Sequence, residues 1–423
     1  MAKTMKRTFR TALRRRRGLN PVKNINLGLL LGTACSWVLL LLGSASAEPD
    51  EATAPPYSEQ QATEQAAEPS SPLMGPSITG PFVIPQPSPK YTLGPLGDIY
   101  VDCIGAGIVQ WQNNRFSGNR AWQPDLSNGQ LFIQKPDGLI QFYAQPGAYS
   151  IWVLGSRNVS TARATLWHQF TGRSFIWMVS DGIPQIAPSD NFSFRGGKLQ
   201  TLIGAEYPFS FQNINPERGI VVTQLPAFSK GGQADYKNGP LALSLSFNDG
   251  FDSGVYNWIS GAATYTFVAA GNAGKTNIAT ARTPLLQNNS EIYNLIYTYK
   301  SGPWIIQPYF SATHVPMNTS IGITSSASSF GGSVLTDYSL GDGFFLGARL
   351  EYIGTAGSNN LLYGPGSGAF AVTVTPAYQY LNFFVRGGFA WVKAANVTAG
   401  LSLGPGGTNN SQTRVTIDAG ILF

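Results

Sequence analysis

The chain has 423 residues, of which 43% are hydrophobic and only 12% are charged, and its formal net charge is +6. Nine of its 28 basic residues and none of its 22 acidic residues precede residue 48, so the rest of the chain carries a formal charge of −3. The basic character is confined to the N-terminal segment. It therefore gives no support for nucleic-acid binding.

Residues 1–47 are predicted to be a secretory signal peptide. A basic stretch precedes the apolar run from Leu27 to Leu42, and residues 45–47 read Ala-Ser-Ala, a small-x-small cleavage site. An uncleaved membrane anchor is the alternative, but the apolar run of about sixteen residues is short for a helix that needs roughly 20 to span a bilayer. Cys35 would leave with this segment, so Cys103 is expected to have no intrachain disulfide partner.

Residues 48–90 are predicted to be a disordered, acidic, proline-rich linker on the periplasmic side. This stretch contains six carboxylates, adjacent prolines at Pro55 and Pro56, and few bulky apolar side chains that could offset the entropy of ordering. Its prolines favour an extended, semi-stiff conformation. A disordered tether is favoured over a segment that enters the folded domain or contacts the cell wall.

Residues 91–423 repeat one pattern, in which alternating apolar and polar runs of roughly nine to eleven residues are separated by turns rich in Gly, Asn, Asp, Pro and Ser. In the last run, Val415 and Ile417 fall on one face of an extended strand, and Arg414 and Asp418 fall on the other. A soluble sandwich would bury the apolar face in a dry core. In a transmembrane barrel the apolar face meets lipid and the polar face encloses water.

Length and aromatic placement favour the barrel. Residues 91–423 are many for a single sandwich core, whereas barrels grow by adding hairpins around a ring. Aromatic pairs such as Phe389 and Trp391 lie near the ends of runs, where an interfacial girdle needs them. The predicted fold is an all-β, transmembrane, antiparallel up-and-down β-barrel of about 16 strands, in a range of about 14 to 18.

The turn pattern orients this predicted barrel. A tight connection near Leu381 is expected on the periplasmic side, where short turns lie. Longer stretches rich in Gly, Asn and Ser are predicted to be external loops, at about Asn113–Asn128, Asp181–Gly197, Gly271–Asn289, Val315–Ser329, Gly354–Gly368 and Ala395–Gln412.

Two stretches resemble a known family. The first, from Lys198 to Pro226, contains a Gly-x-Glu strand and an Asn-rich segment before an arginine; the second, from Tyr236 to Gly254, leaves a Gly-Pro turn and ends in an Asn-x-x-x-Asp loop. The matching positions are Gly204, Ala205, Glu206, Asn213, Asn215, Arg218, Asn248 and Asp252, together with the segment from Asn128 to Pro136. On these motifs, residues 120–423 resemble the second-named family of bacterial outer-membrane β-barrel porins. The resemblance implies a pore-forming protein in the outer membrane of a Gram-negative-type bacterium and specifies no substrate.

The alternation also places charged residues on the predicted inner face. The pore-lining candidates are Lys198, Glu206, Arg349, Glu351, Arg386, Arg414 and Asp418. Charged groups in such a position need either water or partners. They could form an ion-paired ladder that locks the barrel wall, or they could set a field across a water-filled constriction and so determine ion preference. Because residues 91–423 hold 18 basic and 16 acidic residues, weak charge selectivity is expected.

The function that these patterns favour is passive diffusion of small hydrophilic solutes or ions through a water-filled channel. The alternative is a closed structural or adhesion barrel that anchors the outer membrane to the cell wall, which the acidic linker suggests. The expected partners are outer-membrane lipid, the solutes, and the barrel-assembly machinery, which would recognise the C-terminal strand ending in Phe423. Further copies of the chain are expected only by analogy with trimeric porins.

Catalysis and metal binding are not expected. His168 and His314 have no Cys, Asp or Glu at ligand spacing, and each is favoured as a lumen or rim residue. Asp249 and Asp252 could hold calcium in a loop, but their spacing is not that of an EF-hand, and a solvated turn is favoured. The sequence therefore predicts no enzyme, no cofactor and no metal site.

Overall fold

The computed structural model describes residues 81–83, 87–158, 183–269, 272–282 and 289–423. The predicted signal peptide, most of the predicted linker and His168 lie outside these residues. Among the described residues, no helix is both long enough and apolar enough to cross a membrane.

Eighteen β-strands form one sheet in the described part of the chain. The strands are, in chain order, β1 (Lys90–Thr92), β2 (Asp98–Gln112), β3 (Trp122–Lys135), β4 (Ile140–Ala144), β5 (Gly147–Tyr149), β6 (Ile183–Ser189), β7 (Phe192–Gln200), β8 (Phe228–Asn238), β9 (Leu241–Asn248), β10 (Trp258–Ala269), β11 (Asn272–Arg282), β12 (Glu291–Ser301), β13 (Trp304–Val315), β14 (Ala327–Gly341), β15 (Phe344–Gly357), β16 (Gly368–Tyr380), β17 (Phe383–Ala395) and β18 (Ser411–Leu422). Single 3-10 turns lie at Gly94–Leu96, Ser210–Gln212, Val221–Gln224 and Thr319–Ile321.

Antiparallel pairing closes this sheet into a ring. Consecutive strands pair from β6 to β18, and β18 then pairs with β2. β2 pairs with β3, β3 pairs with both β4 and β5, and β4 pairs with β6. If β4 and β5 are counted as one interrupted strand, the described ring has sixteen strands, and β1 extends it only by pairing with β2. The predicted up-and-down β-barrel is confirmed.

The two ends of the barrel differ in the length of their connections. Tight turns join β8 to β9, β12 to β13, β14 to β15 and β16 to β17. The turn at Leu381 lies on the same side as the end of the chain, because the Leu422 N–H donates to the Asn382 carbonyl at 2.8 Å. Long connections at residues 113–121, 316–326, 358–367 and 396–410 lie at the other end. Since short turns are periplasmic in outer-membrane barrels, the predicted position of the Leu381 turn agrees with the structure.

Two of the predicted external loops are wrong. The stretch Asp181–Gly197 contains β6 and most of β7, joined by a tight turn at Asp190, and most of Gly271–Asn289 is β11. The first stretch contains three Gly and two Ser, and the second contains four Asn and three Thr. Such small polar residues suit the wet face of a barrel strand as well as a loop, so composition alone misassigned them.

The apolar and polar faces of the strands point in opposite directions, as predicted. Val415, Ile417, Phe383 and Leu346 are between 42% and 61% exposed on the outside of the ring, whereas Arg386, Arg414 and Asp418 are at most 1% exposed inside it. A sandwich would bury the first group in its core. The exposed apolar belt is the surface that faces lipid, and closure of the ring satisfies the backbone groups that a bilayer cannot.

Ile417 tests this orientation because it lies mid-strand, in register with Gly387 on one side and Val109 on the other. Ile417→Arg is expected to lower the free energy of unfolding by about 2–4 kcal/mol, the cost of a basic side chain facing the bilayer midplane. Urea titration of protein refolded in lipid vesicles measures this value.

Thr413→Arg is the matched control. Thr413 shares the strand and the face of Ile417 but lies nearer the long-loop rim, in register with Trp391. A cost of at most about 1 kcal/mol is expected there. Equal losses for the two variants would contradict the lipid-facing assignment of Ile417.

Candidate functional site: an internal segment held by buried ion pairs

The connection between β7 and β8, residues 201–227, is called here the internal segment. Most of it is buried, and its two 3-10 turns contain the buried residues Phe211 and Val221. Phe209, Phe211, Ile220 and Val221 belong to two interior clusters whose other members include inward-facing strand residues. A connection normally runs over the surface, where water satisfies its backbone. Here the barrel wall supplies the partners instead.

Two glycines of the wall allow the internal segment to approach closely. A Cβ atom on Gly347 of β15 would lie 2.4 Å from Cγ2 of Ile214, and one on Gly388 of β17 would lie 2.9 Å from Cγ of Pro216. Contacts this short do not occur between real side chains, so the missing Cβ atoms make room for the segment. The segment is therefore seated against the wall formed by β15 and β17.

Arg349 of β15 is the first point at which this wall holds the internal segment. Its Nη1 atom donates to Oε1 of Glu206 at 2.6 Å and to the backbone carbonyl of Glu217 at 2.7 Å. Its Nη2 atom donates to the Thr373 hydroxyl of the neighbouring strand at 3.1 Å. The side chains of Arg349 and Glu206 have no exposed area, so this ion pair is shielded from water.

Two carboxylates bind the backbone where the internal segment turns. Glu351, two residues after Arg349 and therefore on the same face of β15, accepts from the Ile220 N–H at 3.2 Å and lies 2.9 Å from Nε of Arg349. Glu206 accepts from the Gly219 N–H at 3.0 Å through its other oxygen. Each carboxylate therefore satisfies both a charge and backbone donors that have no water nearby.

Arg414 of β18 holds the same segment at a second point. Its Nη1 atom donates to Oε2 of Glu217 at 2.7 Å. The other oxygen of Glu217 accepts from Gln110 at 2.6 Å and from the Thr416 hydroxyl at 2.7 Å. Arg414 also donates to the carbonyl of Val153, whose neighbour Leu154 donates its own N–H to the Arg218 carbonyl at 2.8 Å. Residues 151–158 are thus drawn into the interior beside the internal segment.

Arg386 of β17 forms the third attachment. It lies directly opposite Asp418 in the β17–β18 register, and its Nε and Nη2 atoms donate to one oxygen of that carboxylate at 3.0 and 2.8 Å. Its remaining nitrogen, Nη1, donates to the Asn213 carbonyl at 2.7 Å. The second oxygen of Asp418 accepts from the Ser127 hydroxyl of β3 at 2.7 Å. One ion pair therefore ties the closing strands of the ring to the internal segment.

Six of the seven predicted pore-lining residues belong to these attachments. Glu206, Arg349, Glu351, Arg386, Arg414 and Asp418 are all buried in ion pairs, and Glu206 belongs to the internal segment and not to a strand. Their burial matches the ion-paired ladder that the sequence left open as one interpretation. Their role as pore-lining residues stays a prediction.

Lys198 has a different position from the other six. The predicted alternation placed Lys198 inside and Leu199 outside, but Leu199 is 3% exposed and joins an interior cluster. Lys198 is only half-buried, and its Nζ atom lies 4.9 Å from the ring centroid of Phe228. The predicted faces were assigned as if one strand ran through Tyr207, whereas β7 ends at Gln200. The inward assignment of Lys198 was therefore wrong.

Sequence reasoning missed two groups that bind the wall charges, Glu217 and the Asn213 backbone. The stretch from Asn213 to Gly219 reads Asn-Ile-Asn-Pro-Glu-Arg-Gly, which lacks the two-residue alternation of its neighbours. A proline between two polar residues is also unusual in a barrel strand. These two signals together indicate a non-strand segment, although they do not show that it folds inward.

The inner face of β8 and β9 is less tightly enclosed. Asp235 is in register with Ser244, which alternates with the outward-facing Leu243 and Leu245. The Arg195–Asp235 ion pair, at 2.7 Å, leaves these side chains 26% and 18% exposed. Charge on this side of the lumen therefore remains in contact with water, unlike the attachments on β15, β17 and β18.

Of the positions considered as metal ligands, the described residues His314, Asp249 and Asp252 have other partners. Nδ1 of His314 lies 2.8 Å from the Ser328 hydroxyl. Asp249 accepts from the backbone N–H groups of Lys230 and Gly254, and Asp252 pairs with the Lys230 ammonium at 2.9 Å. Within the described ranges, no group of three or more His, Cys, Asp or Glu side chains could hold a metal ion.

Arg349→Met tests the energetic role of the first attachment. It retains much of the side-chain volume but leaves Glu206 and Glu351 without their cation. Removing one partner of a buried pair typically costs about 3–5 kcal/mol, and a loss of this size is expected in the free energy of unfolding, measured by urea titration in lipid vesicles. Arg195→Gln is the control, because its partly exposed ion pair with Asp235 is expected to contribute at most about 1 kcal/mol. Equal losses of unfolding free energy in the two variants would show that the buried pairs of Arg349 stabilise the protein no more than the partly exposed pair of Arg195.

Comparisons with known proteins agree with this architecture. A search of curated proteins finds no match. Among solved structures, a loop-deletion form of OmpT, an outer-membrane protein of Vibrio cholerae, superposes with a TM-score of 0.51 at 10% identity over 77% of this chain and 99% of that one. An anion-selective porin from Comamonas acidovorans gives a TM-score of 0.51 at 11% identity, with the same coverage of both chains. At such identities these likenesses establish the fold alone.

The family comparison goes further than the fold. Residues 104–423 match the family described as "Putative beta-barrel porin-2, OmpL-like". This match covers most of the chain and nearly the whole ring, and it agrees with the resemblance predicted for residues 120–423. The outward apolar belt and the family place the molecule in the outer membrane of a Gram-negative bacterium. The chain therefore belongs to this family of outer-membrane β-barrel porins.

Proposed function

We propose that this porin is a narrow diffusion channel whose water path runs beside β7, β8 and β9. The observation that supports it is the difference in exposure across the lumen. The charged side chains on β15, β17 and β18 are at most 3% exposed where they hold the internal segment, whereas Arg195 and Asp235 are 26% and 18% exposed. The internal segment excludes water from the charges on β15, β17 and β18, whereas the Arg195–Asp235 pair on β7 and β8 stays in contact with water.

The residues along this path suit small hydrophilic solutes or ions. The Asp235 carboxylate accepts from Arg195, from Gln233 at 2.7 Å and from the Ser244 hydroxyl at 2.6 Å, so its charge is held in a fixed position. The charges of Arg195 and Asp235 are opposite and lie side by side, so their electric fields nearly cancel for an ion farther away. Weak charge selectivity follows, because a paired field favours neither sign strongly. Solute would move down its gradient without a catalytic group or cofactor.

Neutralising each member of this pair should shift ion preference in opposite directions. Arg195→Gln leaves the Asp235 carboxylate uncompensated and should increase cation preference, whereas Asp235→Asn should increase anion preference. Reversal potentials under a KCl gradient, measured in planar bilayers, report both shifts. Lys393→Gln is the matched control, since Lys393 is exposed beside the outward-facing Trp391 and its loss should leave selectivity unchanged. Equal potentials for all three variants would place the path elsewhere.

A closed structural or adhesion barrel is the second candidate. The observation that favours it is the same set of buried ion pairs, which cross-link the wall and the internal segment. The wild-type protein in planar bilayers separates the two functions. Stepwise conductance supports the channel, and its absence from folded protein supports the closed barrel.

The same proposal includes how the barrel assembles and what its outer surface contacts. Assembly would begin at β18. Phe423, directly after this strand, is 49% exposed and exchanges both backbone hydrogen bonds with Cys103 of β2, at 2.8 and 2.9 Å. The barrel-assembly machinery would recognise this terminal strand before the ring closes. The exposed apolar belt would contact lipid or further copies of the chain. We assign the molecule no enzymatic activity.

A further inference from the structure

The short segment Pro81–Val83 lies inside the short-turn end of the barrel, although it belongs to the predicted linker. Phe82 is 4% exposed and stacks on Phe384 of β17, with ring centroids 4.4 Å apart. It belongs to the same interior cluster as Phe132, Ile104 and Leu422, which come from β3, β2 and β18. A linker residue is therefore packed among side chains from several parts of the ring.

Gln379 of β16 holds this segment in place. The Val83 N–H donates to Oε1 of Gln379 at 3.0 Å, and Nε2 of Gln379 donates back to the Val83 carbonyl. Gln379 is in register with Phe384 and lies two residues before Leu381, whose carbonyl it also contacts at 2.8 Å. The amide thus pairs with Val83 as a strand backbone would, at the rim beside the tight turn.

Phe82 also covers one of the attachments of the internal segment. The guanidinium carbon of Arg386 lies 5.3 Å from the centroid of Phe82 and 5.9 Å from that of Phe384. These distances are within the range of cation–π attraction. The same guanidinium binds Asp418 and the Asn213 carbonyl. Withdrawing Phe82 would open a path for water to this ion pair from the periplasmic side.

We infer that residues 81–83 form a releasable plug in the periplasmic mouth, and that their withdrawal widens this mouth, through which the path beside β7, β8 and β9 leaves the barrel; this inference rests on the proposed diffusion function. Within the described residues, this segment is held by the buried Phe82 ring and by the two hydrogen bonds between the Val83 backbone and the Gln379 side chain. The entropy of ordering a short chain segment opposes such contacts with a similar magnitude, so the docked and withdrawn forms should exchange.

The experiment measures conductance and access together, on the full mature chain. Phe82→Ala and Gln379→Ala should each raise single-channel conductance, or the fraction of time open, by roughly twofold or more, because they remove the ring or its anchor. Gln307→Ala is the matched control. Gln307 is also an inward-facing amide near a short turn, but it donates to Thr298 at 2.8 Å and not to the plug. It should leave conductance unchanged.

Access is measured by attaching a water-soluble maleimide to Ala377→Cys in a Cys103→Ser background. Ala377 packs against the cluster that contains Phe82 and lies beside Gln379 on the inner face. Adding Phe82→Ala should speed labelling by roughly tenfold or more. The small Ala-to-Cys change leaves the plug contacts themselves intact.

The outcomes separate this inference from the channel function. Faster labelling with higher conductance in the Phe82 and Gln379 variants supports the plug. If both variants conduct as the wild type does, or if labelling is equally fast with and without the Phe82 ring, the plug is overturned. The proposed channel function is not affected by either result. If neither the folded wild-type protein nor its folded variants conduct, the plug and the channel function are both overturned.

Discussion

The structure depends on one constraint, which is that charge placed on the inner wall of a barrel needs either water or a partner. Arg349, Arg386 and Arg414 lie on neighbouring parts of the wall and have less than 2% of their surface exposed. An unpaired cation in that position would carry a large desolvation penalty. The partners are Glu206, Glu217 and the Asn213 carbonyl from the internal segment, and Glu351 and Asp418 from the wall itself.

This constraint works in both directions, because the segment needs the wall as much as the wall needs the segment. A connection folded into a barrel brings backbone groups that have no strand partner. The N–H groups of Gly219 and Ile220 are satisfied by Glu206 and Glu351. Replacing a buried ion pair with apolar groups of equal volume can be neutral for stability, so the charges need not be the most stable solution. Their directional bonds do fix one position for the segment, which a purely apolar contact would define less sharply.

The alternation of side chains was sufficient to predict the ring, its approximate strand number and its two faces. Val415 and Ile417 face outward and Arg414 and Asp418 face inward as expected, since a strand has no other way to place successive residues. Alternation fails where the chain leaves the sheet. Leu199 and Lys198 were given reversed faces, and Glu206 was assigned to a strand, because the end of β7 at Gln200 is not marked by an obvious turn.

The environment of the inward charges could not be predicted from a period-two pattern. That pattern states which side a carboxylate faces, and not whether water or an arginine lies there. The partners of Arg414 and Arg386 are about 170 to 200 residues away along the chain, at Glu217 and Asn213. Only the fold of residues 201–227 brings them together. Gly347 and Gly388 carried a relevant signal, but a small residue on an inner face has the same appearance whether water or chain lies opposite.

Arg386 is the residue at which the closing strand, the internal segment and the segment at residues 81–83 meet. Its guanidinium contacts Asp418 of the closing strand, the Asn213 carbonyl of the internal segment and the ring of Phe82. The first two contacts are charge-assisted or buried hydrogen bonds within a shielded network, and moving the segment would break several of them at once. The third is a single ring at the rim, held by one amide. Because the weakest of these contacts yields first, opening is expected at the periplasmic mouth, while the internal segment keeps its position against the wall.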